Sequence, residues 1–251
     1  MQGKLALLLA AFLTWMAGFV DAVGYLSLGQ IYTANMSGNS VAIGIHAISG
    51  EWTETLRRLL PVVAYFAGLL CCRLLIAYGA SRQIRRIATV TLLCEIALLI
   101  PVFLTSAPAP ATLSWTFVGL LALAMGVQNA TLTHFSTLTV HTGFVTGTLV
   151  RCAEYVARYL TWIWDQTRHK KQSIWHVFAR SDEQKAFSAG IWLALIWLAY
   201  VIGACFGAFG QHVYKFRSLL VPIIGLACVS AVDLHQPLAL REEREQQNLG
   251  S

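Results

Sequence analysis

The chain has 251 residues, 57% of them hydrophobic and only 12% charged, about half the charge of an ordinary soluble domain. Eighteen Lys and Arg against twelve Asp and Glu leave a net charge of +6, and the mean hydropathy is +0.61. A soluble enzyme is excluded, and in so apolar a chain the basic excess belongs to loops at a membrane surface rather than to nucleic-acid binding.

A bilayer core about 30 Å thick takes roughly 20 helical residues per crossing. Apolar runs fall at 5–28, 36–49, 59–80, 87–105, 113–133, 143–160, 187–210 and 218–234. The first follows a lysine in the manner of a signal peptide, but no small-residue cleavage site interrupts it, and it reads as a retained helix. The second, MSGNSVAIGIHAIS, is too short and too polar at its start to cross. The third to fifth are long enough, or nearly so, with SAPAPATLS as a Pro-rich connection between the fourth and fifth. The sixth carries Arg151, Glu154 and Arg158 on one helical face, which would line an aqueous path or form a solvated helix end. The second and sixth therefore read as broken or re-entrant segments, tolerated where protein or water faces their polar groups. A basic loop at 168–185 precedes the last two runs, and a charged tail fills 235–251.

The expected fold class is thus an all-α polytopic membrane protein with about six transmembrane helices and two short broken or re-entrant helical segments. Six crossings with both termini inside collect Lys4, Arg82, Arg85, Arg86, the 168–185 loop and the tail on the cytoplasmic face. Arg57, Arg58, Lys215 and Arg217 are left outside, which suits the positive-inside rule better than eight crossings do. The six cysteines (71, 72, 94, 152, 205 and 228) lie in apolar runs and read as small buried hydrophobes, with a reactive pair at Cys71 and Cys72 as the alternative. The tryptophans, among them Trp52, Trp115, Trp162, Trp164 and Trp192, suit interfacial anchors.

The two halves of the sequence match each other. Gly18-Phe19-Val20-Asp21-Ala22 corresponds to Gly126-Val127-Gln128-Asn129-Ala130 at an offset of 108 residues, and Ser37-Gly38-Asn39 to Thr146-Gly147-Thr148 at 109. Ala64-Tyr65-Phe66-Ala67-Gly68 corresponds to Ala199-Tyr200-Val201-Ile202-Gly203 at 135, the increase being about the size of the basic loop. Three matches in one order predict an internal repeat, 1–106 and 107–234. Three crossings per half would invert the second half, the arrangement of many secondary transporters with a site at the repeat interface.

Polar residues gather at the two breaks. Thr33, Asn35, Ser37, Gly38, Asn39 and Ser40 follow the first helix; Gln128, Asn129, Thr131, Thr133 and His134 lead to Thr139, His141, Thr142, Thr146, Gly147 and Thr148. Each reads as helix, polar break and new helix start, whose free N–H groups suit an anionic or polar ligand. Ser, Thr and Asn also bridge helices, and Gly143/Gly147 and Gly203/Gly207 have the spacing of packing glycines. Packing alone does not put an acid or amide at one point of each repeat. Asp21 costs roughly 3 kcal/mol in an apolar helix and marks a functional site; its counterpart Asn129 keeps the shape without the charge. Glu95 is the second embedded acid, with Arg73 as a structural partner in the alternative reading.

These residues make the chain resemble the YoaK-like family of bacterial inner-membrane proteins (domain of unknown function 1275). That family carries Asp-Ala, Thr-Gly-Asn, Gly-x-Gln-Asn-Ala and Thr-Gly-Thr-like motifs, matched here by Asp21-Ala22, Ser37-Gly38-Asn39, Gly126–Ala130 and Thr146–Thr148. Ser37 departs from the usual Thr but keeps the hydroxyl. The resemblance covers nearly the whole chain and implies an inner-membrane protein of about six helices; it supplies no substrate.

The sequence-level expectation is a secondary transporter of a small polar or anionic solute. Asn35, Ser37, Gly38, Asn39, Gln128, Asn129, Thr142, Thr146, Gly147 and Thr148 would bind the solute, and Asp21 and Glu95 would serve coupling or gating. A passive channel and a non-transporting scaffold or sensor, working through the 168–185 loop and the tail, stand as alternatives. No catalytic residue is assigned: G-x-S-x-G, H-E-x-x-H, Walker and dinucleotide patterns are missing. No metal or cofactor is expected. The partners are the lipid bilayer and the solute, not nucleic acid, and a homo-oligomer is compatible with the sequence.

Overall fold

A computed structural model describes residues 2–84, 86–105, 111–135, 145–168 and 185–235. Among them are α1 (Gln2–Ser27), α2 (Met36–Ile48), α3 (Trp52–Ser81), α4 (Ile87–Phe103), α5 (Ala111–Phe135) and α6 (Val145–Arg168). Next come α7 (Lys185–Tyr214), a 3-10 turn (Lys215–Leu219) and α8 (Leu220–His235). No strand occurs among the described residues. Among the described residues four stretches are long and apolar enough to cross a membrane: Leu7–Ser27, Trp52–Ser81, Ser114–Leu132 and Ala186–His235, the last running through α7 and α8. With 17 and 16 residues, α4 and α8 are about 25 Å long.

The helix ends follow local chemistry. α1 stops in a Schellman turn, with Gly29 at φ 76° and the Gln30 N–H donating to the Tyr25 carbonyl at 2.9 Å. Gly50 (φ 74°) ends α2 the same way, Glu51 N–H reaching His46 O at 2.9 Å. α3 ends on Gln83 at φ 52° with Ile84 N–H on Gly79 O, and Lys215 (φ 55°) separates α7 from α8. Both are left-handed residues with a Cβ, costing roughly 1–2 kcal/mol each. The third helix begins at Trp52 rather than near 59, because the two arginines of its second turn find partners on the chain: Arg57 and Arg58 donate to the carbonyls of Leu28, Gly29 and Gln30.

The most extensive packing is between halves. α1 lies along α7, and α3 along α5. Gly203 and Gly207 abut the carbonyls of Trp15 and Phe19, so α1 and α7 run in the same direction. Gly68 meets Leu123 O, and Cys72 lies 3.6 Å from Thr131 Oγ1, so α3 and α5 also run together. α1 and α5 cross in opposite directions, since Gln128 reaches Leu13 O at 3.3 Å and Gly24 faces Leu121. α4 and α8 are antiparallel neighbours: Asp233 near the end of α8 accepts from Thr89 N (2.9 Å) and Thr89 Oγ1 (2.6 Å) at the start of α4. The remaining neighbours of this framework include α2 on α3 and α6 on α7.

Large apolar side chains divide between two surroundings. Met16, Leu99, Leu121, Met125 and Leu226 fill the centre, while Phe66, Leu74, Phe206 and Ile224 face outward. An apolar exterior of this kind suits lipid. It also corrects the expectation for the cysteines: only Cys72 is buried, Cys152 is half-buried, and Cys71, Cys94, Cys205 and Cys228 are exposed, all as free thiols. In a lipid-facing helix an apolar residue gains nothing by turning inward, so apolar character does not predict burial.

Candidate functional site

The chain does not continue outward after α1; it turns back. Arg58 ties Gln30 to the start of α3, whereas Thr33 and Ala34 return to Asp21, nearly two turns before the end of α1. Asp21 Oδ1 accepts from Thr33 N at 2.6 Å, Ala34 N at 2.8 Å and Thr33 Oγ1 at 3.2 Å. Tyr32 lies against Tyr25, with ring centroids 4.7 Å apart. α2 then starts at this depth and runs out to the turn at Gly50, from which α3 returns. Thirteen residues of α2 span about 20 Å, so its start sits beside the second third of α3, near Tyr65. With 13 residues, α2 is not among the helices long enough to cross a membrane, in keeping with its short, polar-started sequence.

Side chains of the first break hold the turn. Asn39, fully buried, accepts from Tyr32 N (3.2 Å) and donates to Tyr32 O (2.7 Å). Gly38 faces the Tyr32 ring so closely that a Cβ would come within 2.9 Å of it. Ser37, exposed, donates to Asn35 Oδ1 at 2.7 Å, and Asn35 precedes the helix without a side-chain cap bond to it.

In the second half, α6 runs antiparallel to α7: Cys152 Sγ lies 3.7 Å from Gly190 O, and the Tyr159 and Phe187 rings are 4.9 Å apart. Continuing that pairing back to Val145 brings the start of α6 level with the middle of α7, near Tyr200. α2 and α6 thus begin at mid-depth and run toward opposite ends. Thr148 is buried, Gly147 half-buried and Thr146 exposed. Thr142, with Thr139 and His141, lies outside the described residues, and nothing is placed there. Gln128 donates to Leu13 O, while its buried Oε1 has no hydrogen-bond partner.

Between the breaks lies a pair of contacts that exchange under the sequence match. Asp21 on α1 meets Tyr200 on α7, the hydroxyl donating to Oδ2 at 2.6 Å. Asn129 on α5 meets Tyr65 on α3, its amide donating to the hydroxyl at 2.6 Å. Asp21 and Asn129 are counterparts at the offset of 108, Tyr65 and Tyr200 at 135. The glycines repeat the exchange: Gly18 abuts Tyr200 O and Gly126 abuts Tyr65 O, while Gly203 abuts Trp15 O and Gly68 abuts Leu123 O. Any Cβ at these four positions would overlap a carbonyl. Tyr200 is bonded to Asp21, and Tyr65 and the half-buried Tyr32 feel its charge, so one polar cluster joins α1, α3, α7 and the returning segment.

The tyrosines were not among the residues singled out as a site. Their signal was the third match, Ala-Tyr-x-x-Gly, read only as evidence of repetition. Glu95 stands apart from this cluster. It is 1% exposed, its Oε2 has no hydrogen-bond partner, and it lies near Cys72 at the α3–α5 contact. Arg151, Glu154, Tyr155 and Arg158 line a separate surface cavity of about 290 Å³ on α6. Among the described residues no group of three His, Cys, Asp or Glu could hold a metal ion.

With this geometry in place, comparison with known proteins is direct. Residues 9–232 match the family described as "Protein of unknown function (DUF1275)". The chain is 25% identical over 208 residues to the UPF0700 transmembrane protein YoaK of Bacillus subtilis (strain 168), covering 83% of this chain and 85% of that protein. No solved structure matches. An apolar all-helical chain matched from near its first helix to its last is a multi-pass membrane protein, and it belongs to the DUF1275 family.

Proposed function

We propose that the protein is a secondary transporter of a small polar or anionic solute, built as an inverted repeat and binding its solute between the two re-entrant helix starts. The observation that carries this reading is the Asp21 carboxylate. From 3% exposure it holds the returning segment of its own half through Thr33 and Ala34, and the other half through Tyr200. An ionisable group that joins two halves of an inverted architecture sits where alternating access needs a coupling.

The helix directions support the inverted repeat, since α1 opposes α5 while each pairs in parallel with the third helix of the other half. The first turn of α2, uncapped by Asn35, supports a ligand with acceptor oxygens. Solute contacts are assigned to Asn35, Ser37, Gly38, Gln128, Asn129, Thr142, Thr146, Gly147 and Thr148, with Asn39 shaping the turn; Glu95 is the secondary carboxyl. The location is the bacterial inner membrane with both termini cytoplasmic, supported by Arg82 and Arg86 lying at the end opposite Arg57, Arg58, Lys215 and Arg217.

Uptake by proteoliposomes tests the reading. Purified protein is screened against a panel of small carboxylates, inorganic anions and neutral polar solutes, and flux is followed for any that stabilises it. Saturable uptake lost in Asp21→Asn and reduced in Asn129→Ala supports the site. Flux that follows the gradient without saturation makes it a channel; unchanged uptake in both variants defeats the assignment.

A further inference from the structure

The two exchanged contacts differ in which side donates the hydrogen bond. The Tyr200 hydroxyl donates to the Asp21 carboxylate, whereas the Asn129 amide donates to the Tyr65 hydroxyl. We propose that Asp21 is the proton-binding site of this protein, and that its ionised form is what makes the two halves non-equivalent. Uptake of one proton on Oδ2 turns the contact round, and the first half then presents a donor to Tyr200, as the Asn129 amide presents one to Tyr65. The proton comes from water, Tyr200 keeps its own proton, and its hydroxyl oxygen becomes the acceptor.

The consequence falls on the first break. Oδ1 holds Thr33 N, Thr33 Oγ1 and Ala34 N while the carboxylate is charged. Neutralisation converts these charge-assisted bonds into neutral ones of about half the strength. The segment from Tyr32 to Ala34 loosens, and with it the start of α2. The surroundings leave the switch to this one group. From α7 Asp21 meets Tyr200, and it acts electrostatically on Tyr65 of α3 and Tyr32 of the returning segment; from α5 the cluster receives the amide of Asn129 through Tyr65. Arg58 acts on Tyr32 and is held by the carbonyls of Gly29 and Gln30, while His46 pairs with Glu51 and Arg57 with Glu54 rather than with Asp21. Asn129 does not titrate, so the second half has no equivalent response.

This inference takes its use from the transport reading, and its test does not measure transport. Ala34, 4% exposed, is replaced by Cys in a chain whose other cysteines are Ser or Ala, reconstituted in nanodiscs and labelled with a maleimide. With the reagent's own pH dependence removed by a free-thiol control, labelling is expected to accelerate from roughly pH 8 to pH 5 by no more than about tenfold per unit, the limit for one proton. Asp21→Asn should label fast at every pH. Hydrogen exchange of the Thr33 and Ala34 amides in the unaltered chain reads the same opening without any substitution. A rate independent of pH in both measurements, or a pH dependence that survives Asp21→Asn, overturns the proposal. A pH-dependent opening in a protein that moves no solute refutes the transport reading and leaves the proton site standing.

Discussion

Tyr65 and Tyr200 occupy matched positions, yet removing their hydroxyls should have unequal effects. The Tyr200 hydroxyl donates at 2.6 Å to a carboxylate that is 3% exposed; Tyr65 accepts at 2.6 Å from a neutral amide. Hydrogen bonds to charged groups contribute about 1.5–3 kcal/mol, against about 1 for neutral ones. Interhelical hydrogen bonds measured within membranes average nearer 0.6 kcal/mol, because the separated helices find other partners. Tyr200→Phe is therefore expected to cost about 1.5–2 kcal/mol, and Tyr65→Phe about 0.5–1 kcal/mol, although both rings stay packed. Reversible unfolding in mixed micelles reads both. A double-mutant cycle joining Tyr200→Phe with Asp21→Asn isolates the pair, with coupling of about 1 kcal/mol expected. Equal costs for the two tyrosines, or coupling indistinguishable from zero, would refute the reasoning that the charge on Asp21 distinguishes the halves.

Other consequences are as direct. Gly68→Val or Gly203→Val places side-chain atoms against a facing carbonyl and should cost more than about 3 kcal/mol. Gly119→Ala, with nothing within 4 Å of a Cβ, should be neutral or stabilise by up to about 1 kcal/mol; thermal melts of the three variants give the comparison. Asp233→Ala removes the acceptor of Thr89 N and Oγ1 and should destabilise by about 1–2 kcal/mol, with faster hydrogen exchange confined to the start of α4. Glu95→Gln should leave stability unchanged or raise it at neutral pH, because an unpartnered buried oxygen belongs to an acid that can carry charge. A marked loss of stability in Glu95→Gln melts would show instead that the carboxylate is paired.

Much of the site was legible one residue at a time. Asp21 stood out because an acid in an apolar helix needs a reason. The short length and polar start of α2 predicted that it would not cross. What those residues do to one another was not legible. Asn39 read as a solute ligand and is found closing a turn on Tyr32; Tyr65 and Tyr200 entered only as part of a repeat match and are found hydrogen-bonded to Asn129 and Asp21. Gln83 and Lys215 gave no hint that each would end a helix in a left-handed conformation.

The sequence alone determined the solvent: with 57% hydrophobic residues and 12% charged, burial in lipid is the way to satisfy so many apolar side chains. It also marks where polar residues interrupt the apolar runs and which positions in the two halves match in sequence. The tertiary structure decided the pairing of the helices. Because lipid is as apolar as a protein core, an apolar helix carries no stripe that says which face turns inward. That choice falls to close approach at Gly18, Gly68, Gly126 and Gly203, where backbone meets backbone across the two halves, and this approach brings Tyr200 to Asp21 and Tyr65 to Asn129.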